Sequence, residues 1–361
     1  MVDGAELDAI LHDWLSCRPH VHGIVARVDR CGGAAAGCAG FADPLRSARL
    51  TTAHAMRIAS NTKTFVAATA VSLAHGGLFD LDRPIEAMLP GPLTELLAAR
   101  YDPGVITPRM LLRHTSGITE HCAADAAGTS AYLRAARTRP LHRWTPTEQI
   151  RFSLEHFGPG GAAGAAVRYS DTGYVVLGQL IEHLTGRPLP AVVRERCRLD
   201  ALGLDHTWWE SLEPGPHPEP RRLHVRLGDD DWEGVDCSFD LFGGGGLVST
   251  VGDLATWWRA LFARRVLPDA ALAELLTVQG LGGPGCDGDG DGDGDGGTLG
   301  EAGLGIFRRR VAGRSWWTHR GLWGSLVLHD ADDDCTVTMF DAQAAEPGEA
   351  LEELGAALAA A

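Results

Sequence analysis

This chain of 361 residues has almost no lysine: Lys63 is the single one, and its other strongly basic side chains are all arginine. Arginine stays protonated at any usable pH, whereas a buried lysine can lose its proton and act as a base. Arginine, the basic residue that this chain otherwise uses, cannot replace lysine as such a base. The surroundings of Lys63 are therefore the first candidate for a catalytic site. The alternative is a surface lysine without a chemical role.

The sequence also shows no excess of positive charge, no membrane-spanning run and no pattern typical of a secretory signal. The net charge of −15 opposes binding to nucleic acids or to anionic membranes. No run has the length and uniform apolarity of a membrane span. The first six residues are acidic and do not follow the basic-then-apolar order of a secretory signal. We therefore expect a cytoplasmic protein that has neither a nucleic acid nor a membrane as its partner.

The eight cysteines contain no CxxC pair and no metal-ligand spacing. Such scattered thiols favour small buried cysteines in a reducing compartment, with disulfides as the alternative. The Asp-Gly repeat at 287–297 lacks the ligand spacing and the closing glutamate of a calcium loop. Because it cannot bury apolar surface either, we expect a disordered acidic loop. No metal and no cofactor are expected.

The chain is too long for one ordinary core, which predicts two lobes or one α/β domain with an insertion. A helix over 4–16 and two strands near 23–28 and 37–42 precede Lys63, and closely spaced strands return in the last sixty residues. The two ends, 1–78 and 236–361, are predicted to form one discontinuous α/β lobe. Cap-proline helix starts and long loops in between predict a mostly helical lobe over 79–235.

Ser60 and Lys63 stand three residues apart where an apolar helix begins. Residues at this spacing share one helix face, so the amine can contact the hydroxyl. The following run, 65–73, is apolar on nearly every face, which indicates a helix buried inside the molecule. The pattern therefore predicts Ser60 as a nucleophile and Lys63 as its proton partner.

Two further motifs follow in order, Tyr169-Ser170-Asp171 and His319-Arg320-Gly321. With Ser60-Asn61-Thr62-Lys63, with 113–117 (RHTSG) and with 244–250 (GGGLVST), they resemble the serine β-lactamase-like superfamily over about residues 20 to 345. The likeness is greatest to its class C β-lactamase, D-alanyl-D-alanine carboxypeptidase and esterase branch. This resemblance implies an α/β (α+β) fold with a five-stranded antiparallel sheet flanked by helices. A mostly helical lobe would be inserted, with the site in the cleft between the lobes.

The resemblance also implies roles for the first two motifs. Ser60 would attack a carbonyl carbon and form an acyl-enzyme, and Tyr169 would relay the proton to the leaving group. A core tyrosine bonded to backbone is the alternative for Tyr169. Asp171 stands where asparagine is the commoner choice. A carboxylate beside Lys63 favours the charged ammonium, so Tyr169 would serve more as the base.

The third motif would complete the site. His319 is expected to bind a substrate carboxylate or to hydrogen-bond the Tyr169 hydroxyl, and it counts against a true β-lactamase. Gly321 would let substrate approach the strand edge. The Leu322 N–H would join that of Ser60 as an oxyanion hole. Trp323 is expected at the pocket rim of an aromatic-lined acyl site, whereas His114 and Ser116 are expected to be turn residues.

The sequence thus predicts covalent acyl transfer through Ser60, as hydrolysis of a small ester, an amide or a D-amino-acid peptide in the cytoplasm. One alternative is a transacylase that hands the acyl group to an amine or alcohol in natural-product biosynthesis. Another is an inactive binding module that keeps the fold. The expected partner is a small ester or amide, with or without an acceptor. The oligomeric state is left open.

Overall fold

The computed structural model describes residues 3–124, 129–228, 230–279, 300–342 and 348–361. The predicted Asp-Gly loop at 287–297 lies outside these ranges. The described helices are α1 (Gly4–Ser16), α2 (Thr62–His75), α3 (Gly91–Ala98), α4 (Pro108–Leu112), α5 (Ala131–Thr138), α6 (Pro146–His156), α7 (Asp171–Thr185), α8 (Leu189–Arg196), α9 (Val251–Phe262), α10 (Asp269–Leu275) and α11 (Gly348–Ala360). The described strands are β1 (Gly23–Arg30), β2 (Gly33–Gly40), β3 (Ala55–Arg57), β4 (Trp208–Trp209), β5 (Arg226–Leu227), β6 (Asp230–Asp231), β7 (Leu247–Thr250), β8 (Glu301–Ala302), β9 (Phe307–Val311), β10 (Arg314–Gly321), β11 (Ser325–Asp330) and β12 (Cys335–Asp341).

The main sheet is antiparallel and has seven strands in the order β2-β1-β12-β11-β10-β9-β8. The predicted α/β fold class is confirmed, but the prediction of five strands was wrong. The number five came from the resemblance to the family. Strand β8 has only two residues, too few to show an alternating pattern in the sequence. Strand β2 is a run of glycine, alanine and one cysteine without any β-branched residue, so its bounds were not clear either.

The small residues of β2 have a packing reason. A Cβ atom added at Gly37 would lie 2.7 Å from the Cβ of Leu7, so α1 can settle on this strand only because a side chain is missing. Leu7 shares its buried cluster with Leu351 of α11 and with Ile24 and Val337 of the sheet. Both terminal helices therefore cover the same face of the sheet.

Helix α2 is the centre of the second core, on the opposite side of the sheet. Every residue from Thr62 to Val71 is buried, and the ring of Phe65 stacks on Trp257 of α9 with the centroids 3.6 Å apart. The helix ends at His75, with Gly76 as its C-cap. The middle of the chain carries α3 to α8 and is mainly helical, whereas its division from the sheet as a separate lobe stays a prediction. None of the described helices is long and apolar enough to cross a bilayer.

Seven of the eight cysteines lie in the described residues, and all seven carry free thiols. Only Cys197 and Cys335 are buried, while Cys17 and Cys31 are exposed. The preference for thiols over disulfides agrees with the described part of the chain. The expectation that they are all buried was wrong.

Candidate active site

The segment that carries Ser60 is a tight turn fixed to the main sheet. Strand β3 ends at Arg57, and a 3-10 turn over Ala59–Asn61 leads into α2. Ala59 has φ of 42°, a left-handed conformation that costs a non-glycine residue about 1 kcal/mol. The Asn61 amide donates to Ser325 Oγ at 2.9 Å, and that hydroxyl donates to the Ile58 carbonyl at 2.8 Å. These bonds to β11 hold the turn in its strained shape.

The side chain of Lys63 is fully buried and points back to Ser60. Its Nζ donates to Ser60 Oγ at 2.9 Å and to the Gly244 carbonyl at 2.6 Å, and it forms a close ion pair with Asp171. Three acceptors account for the three hydrogens of an ammonium group. The amine-to-hydroxyl contact expected from the SxxK spacing is therefore present. The ion pair with Asp171 agrees with the carboxylate that was expected beside Lys63.

Tyr169 lies directly before α7, and its ring centroid is 4.8 Å from Lys63 Nζ. The imidazole of His114 stacks on the Tyr169 ring, with centroids 4.4 Å apart, and its Nδ1 accepts the Ser170 N–H at 3.1 Å. Burial lowers the pKa of His114 well below 6.5, and the nearby charge of Lys63 lowers it further. The imidazole is therefore neutral. His114 is a turn residue with φ of 59°, as expected, but it also fixes Tyr169.

Two further carboxyl groups lie beside Asp171, and the sequence motifs did not reveal them. Glu120 accepts the Asp171 N–H in a short hydrogen bond and the Cys122 N–H at 2.7 Å. Burial, and then the charge of Asp171, raise the pKa of Glu120 to about 8. The same two causes, in the same order, raise the pKa of Asp240 to about 7. The only signal in the sequence was their position, one beside the HTSG stretch and the other just before the glycine run.

The end of β10 brings the third motif to the Ser60 turn. A Cβ at Gly321 would lie 2.3 Å from the Ile58 carbonyl oxygen, so only glycine lets this strand approach so closely. His319 is buried, its Nδ1 lies 2.8 Å from the Arg320 carbonyl, and the edge of its ring meets Phe307.

Leu322 and Trp323 follow on the turn between β10 and β11. Leu322 is partly buried against the main core. Trp323 is 0% exposed, so its predicted place at a pocket rim was wrong. Its ring is enclosed by Trp232 and Phe239, and its indole N–H donates to Asp240 at 2.9 Å.

A family comparison agrees with this geometry. The family model for Beta-lactamase matches residues 11–361. The chain belongs to the Beta-lactamase family. The resemblance inferred from the three motifs is therefore confirmed.

Among curated proteins, this family member is similar to an N-acetylmuramyl-L-alanine amidase of Bacillus subtilis, with 28% identity over 191 residues. It is also similar to the esterase EstB of Burkholderia gladioli, with 30% identity over 175 residues. These matches cover 51% and 46% of the chain but only 40% and 43% of the two relatives. The chain thus spans less than half the length of these curated relatives.

Two solved structures match nearly the whole chain. A D-amino acid amidase from Ochrobactrum anthropi is 23% identical, covers 98% of this chain and 97% of its own, and has a TM-score of 0.78. A D-stereospecific amidohydrolase from Streptomyces is 26% identical, covers 97% and 98%, and has a TM-score of 0.78. They match the fold of this Beta-lactamase-family protein. Amidase and esterase relatives in one family agree with a serine hydrolase.

The cluster Glu120, His121 and Cys122 is the one set of donor atoms in the described residues that comes close to a metal site. Its ligand atoms lie within 4.8 Å of one another, and carboxylate, imidazole and thiolate suit zinc. However, both oxygens of Glu120 accept backbone N–H groups, and His121 Nδ1 lies 3.0 Å from Thr172 Oγ1. These side chains are already used in a hydrogen-bond network behind Asp171, so we assign no metal there.

Proposed function

We propose that this protein is a serine acyl-transfer enzyme that hydrolyses a small amide or ester through an acyl-enzyme on Ser60. The observation that carries the proposal is the 2.9 Å contact between Ser60 Oγ and the buried ammonium of Lys63. A buried lysine with three fixed acceptors has lost both solvent and rotamer freedom. Such a cost is difficult to explain for a residue without a chemical role.

The charges around Ser60 support a division of labour. Because Lys63 is held as an ammonium by Asp171, its positive charge favours a phenolate at Tyr169, which then takes the Ser60 proton. Ser60 Oγ attacks the carbonyl carbon, and the resulting oxyanion accepts from the backbone N–H groups of Ser60 and Leu322. Tyr169 returns the proton to the leaving amine or alcohol. Water then attacks the acyl-enzyme by the reverse route.

The substrate class follows from the relatives and remains part of the proposal. An amidase and an esterase among the curated relatives support both amides and esters. The D-stereospecific amidohydrolase with the same fold makes D-amino acid amides the first substrates to test. Phenylalanine amide in its D and L forms, and a p-nitrophenyl ester, therefore form the minimal panel.

Intact-mass measurement after exposure to a fluorophosphonate tests the acyl-enzyme. We expect one adduct on the wild type, none on Ser60→Ala, and one on Ser315→Ala, where an exposed serine is removed as the control. An adduct or turnover retained by Ser60→Ala would remove Ser60 from the nucleophile role. Product formed only when an amine or alcohol acceptor is added would show a transacylase in place of a hydrolase.

The substitution Lys63→Arg tests the placement of the positive charge in the same assays. It keeps the charge, but the larger guanidinium does not fit a fully buried site, so the charge is displaced from Ser60 and Tyr169. We expect kcat/KM to fall on the order of a thousandfold. Arg83→Lys, at a side chain that is 76% exposed, is the reciprocal control and should change nothing. A near-normal rate for Lys63→Arg would contradict the assignment.

A further inference from the structure

Asp240 contacts two segments of the candidate site, the turn after β10 and the glycine run that contacts Lys63. It ends the short 3-10 helix Cys237–Asp240, just before the glycine run at 243–246. One of its carboxylate oxygens accepts the indole N–H of Trp323 at 2.9 Å. Trp323 belongs to the turn after β10, which also carries Leu322, the assigned oxyanion donor. The hydrogen bond thus joins segments that are 83 residues apart in the chain.

The other carboxylate oxygen of Asp240 packs on the glycine run. A Cβ added at Gly245 would lie 2.2 Å from Asp240 Oδ1, so the carboxyl group rests directly on the main chain there. The neighbouring Gly244 has its carbonyl 2.6 Å from Lys63 Nζ, and a Cβ at Gly244 would lie 3.1 Å from the Cβ of Asp171. The glycine run is therefore held between Asp240 and Asp171, and its Gly244 carbonyl is directed at Lys63.

We propose that Asp240 is a positioning residue that links the oxyanion turn at Leu322 to the glycine run that holds Lys63. This inference rests on the proposed function, because it concerns the two groups that act on either side of Ser60. Trp323 is enclosed by Trp232 and Phe239, so its indole is a rigid attachment point. A shift of Asp240 moves both the Trp323 turn and the Gly244 carbonyl.

The bridge also responds to pH. Burial and the charge of Asp171 raise the pKa of Asp240 to about 7, so its carboxyl group is neutral in weakly acidic solution and ionised above that value. The charged or titratable groups that interact with it come from several elements: Asp171 of α7, Lys63 of α2, Arg57 of β3, Tyr132 of α5 and Cys122. Ionisation strengthens the hydrogen bond from the Trp323 indole, because a charged acceptor is the stronger one.

Two substitutions separate positioning from mere packing. Asp240→Ala removes both contacts and should lower kcat about ten- to hundredfold with little change in KM. Asp240→Asn keeps an acceptor of the same shape and should restore the rate at about pH 6, where the native side chain is neutral. It should also abolish an inflection near pH 7 in the wild-type pH profile of kcat/KM. Asp236→Asn, in the cap of the same short helix, is the matched control and should keep that inflection.

An NMR measurement that does not depend on activity separates failure of the Asp240 bridge from failure of the proposed function. The indole N–H resonance of Trp323, assigned by its loss in Trp323→Phe, should titrate near pH 7 in the wild type and not in Asp240→Asn. Wild-type rates for a folded Asp240→Ala variant, or an indole resonance that does not titrate, would overturn the bridge. Absence of a Ser60 adduct in the wild type would instead overturn the proposed function, and the indole titration would still decide whether Asp240 holds Trp323.

Discussion

The side chains of the candidate site are held mainly by backbone groups. Gly244 supplies a carbonyl to Lys63, the Ser170 N–H donates to His114, and the Asp171 N–H donates to Glu120. Such partners cannot be recognised from the side-chain sequence, because every residue except proline has both a backbone N–H and a carbonyl. The path of the main chain therefore contributes to the orientation of Lys63, His114 and Glu120.

His114 gives a test of this idea at one residue. His114→Asn suits the left-handed backbone at φ of 59° and keeps a polar side chain, but it removes the ring that stacks on Tyr169. We expect kcat to fall about tenfold, as for loss of a supporting group, with a loss of about 2 kcal/mol in unfolding free energy for the missing buried ring. Steady-state kinetics and urea denaturation measure both.

His156→Asn is the matched control for the His114 experiment. His156 also stacks on an aromatic ring, that of Phe152 at 3.8 Å, but it is exposed and lies on α6. Its replacement should leave kcat unchanged. If His114→Asn folds and turns over like the wild type, the stacked imidazole does not orient Tyr169.

The predictable part of the site is the part that is local in sequence. Ser60 and Lys63 meet because residues three apart share a helix face, so their contact follows from spacing alone. Glu120 and Asp240 reach Asp171 only through tertiary packing, and no periodicity in the chain encodes that approach. The predicted position of Trp323 at a pocket rim was wrong for a similar reason. Trp323 is buried and its indole N–H donates to Asp240, and its spacing from Gly321 in the sequence does not show this tertiary contact.

Strands show the same limit at the scale of elements. Strand β1, which carries β-branched residues, was located to within two residues, and β10 to β12 lie in the last sixty residues, where strands were predicted. Strand β2 was expected near 37–42 and lies at Gly33–Gly40, because glycine and alanine carry no pattern that separates a turn from a strand. Its register follows instead from β1, which pairs with it along the full length.

The approach of β10 to the Ser60 turn is testable through Gly321. A methyl group in Gly321→Ala would lie 2.3 Å from the Ile58 carbonyl oxygen, a backbone atom that cannot turn aside. The strand and the turn must then separate, and a displacement of about 1 Å costs on the order of a hundredfold in rate. We expect such a loss in kcat/KM together with about 1–3 kcal/mol of stability.

Gly91→Ala is the control for the substitution at Gly321. An added Cβ at Gly91 meets nothing within 4 Å, and the residue starts α3, where alanine favours the helix. Activity should stay at the wild-type level. Full activity in Gly321→Ala would mean that the site tolerates a wider gap between β10 and the turn than the structure shows.

At the scale of the whole molecule, the two chain ends close one sheet. Strand β1 lies between β2 and β12, and the helices α1 and α11 cover the same face. The fold also buries titratable side chains. Burial lowers the pKa of both His22 and His329 to about 4, and His329 is packed against the ring of Phe262. The cost of protonating these groups makes the stability of the fold depend on pH.

The sign of that dependence follows from which state binds more protons. Between about pH 4 and 6.5 the unfolded chain protonates His22 and His329 while the folded protein keeps them neutral, so stability is lost as pH falls through this window. At the acid limit His329 destabilises the fold by on the order of 3 kcal/mol, and the less deeply buried His22 destabilises it by less. Asp240 acts in the opposite sense, because its pKa is raised from 3.8 to about 7 and its neutral form favours the fold as pH falls.

Glu120 acts in the same sense as Asp240, but the buried histidines with a lowered pKa, His22, His114, His121 and His329, outweigh these two carboxyl groups below about pH 6.5. Above that pH the two carboxyl groups with a raised pKa still titrate, and stability falls as pH rises. We therefore expect the free energy of unfolding, measured in urea from about pH 4.5 to 8, to be highest near pH 6.5 and to decline on both sides. His329→Gln should flatten the acidic side, since glutamine binds no proton in either state. His12→Gln removes an exposed histidine and should leave the curve unchanged. A constant stability from about pH 5 to 6.5 would show that the buried histidines are protonated in the fold.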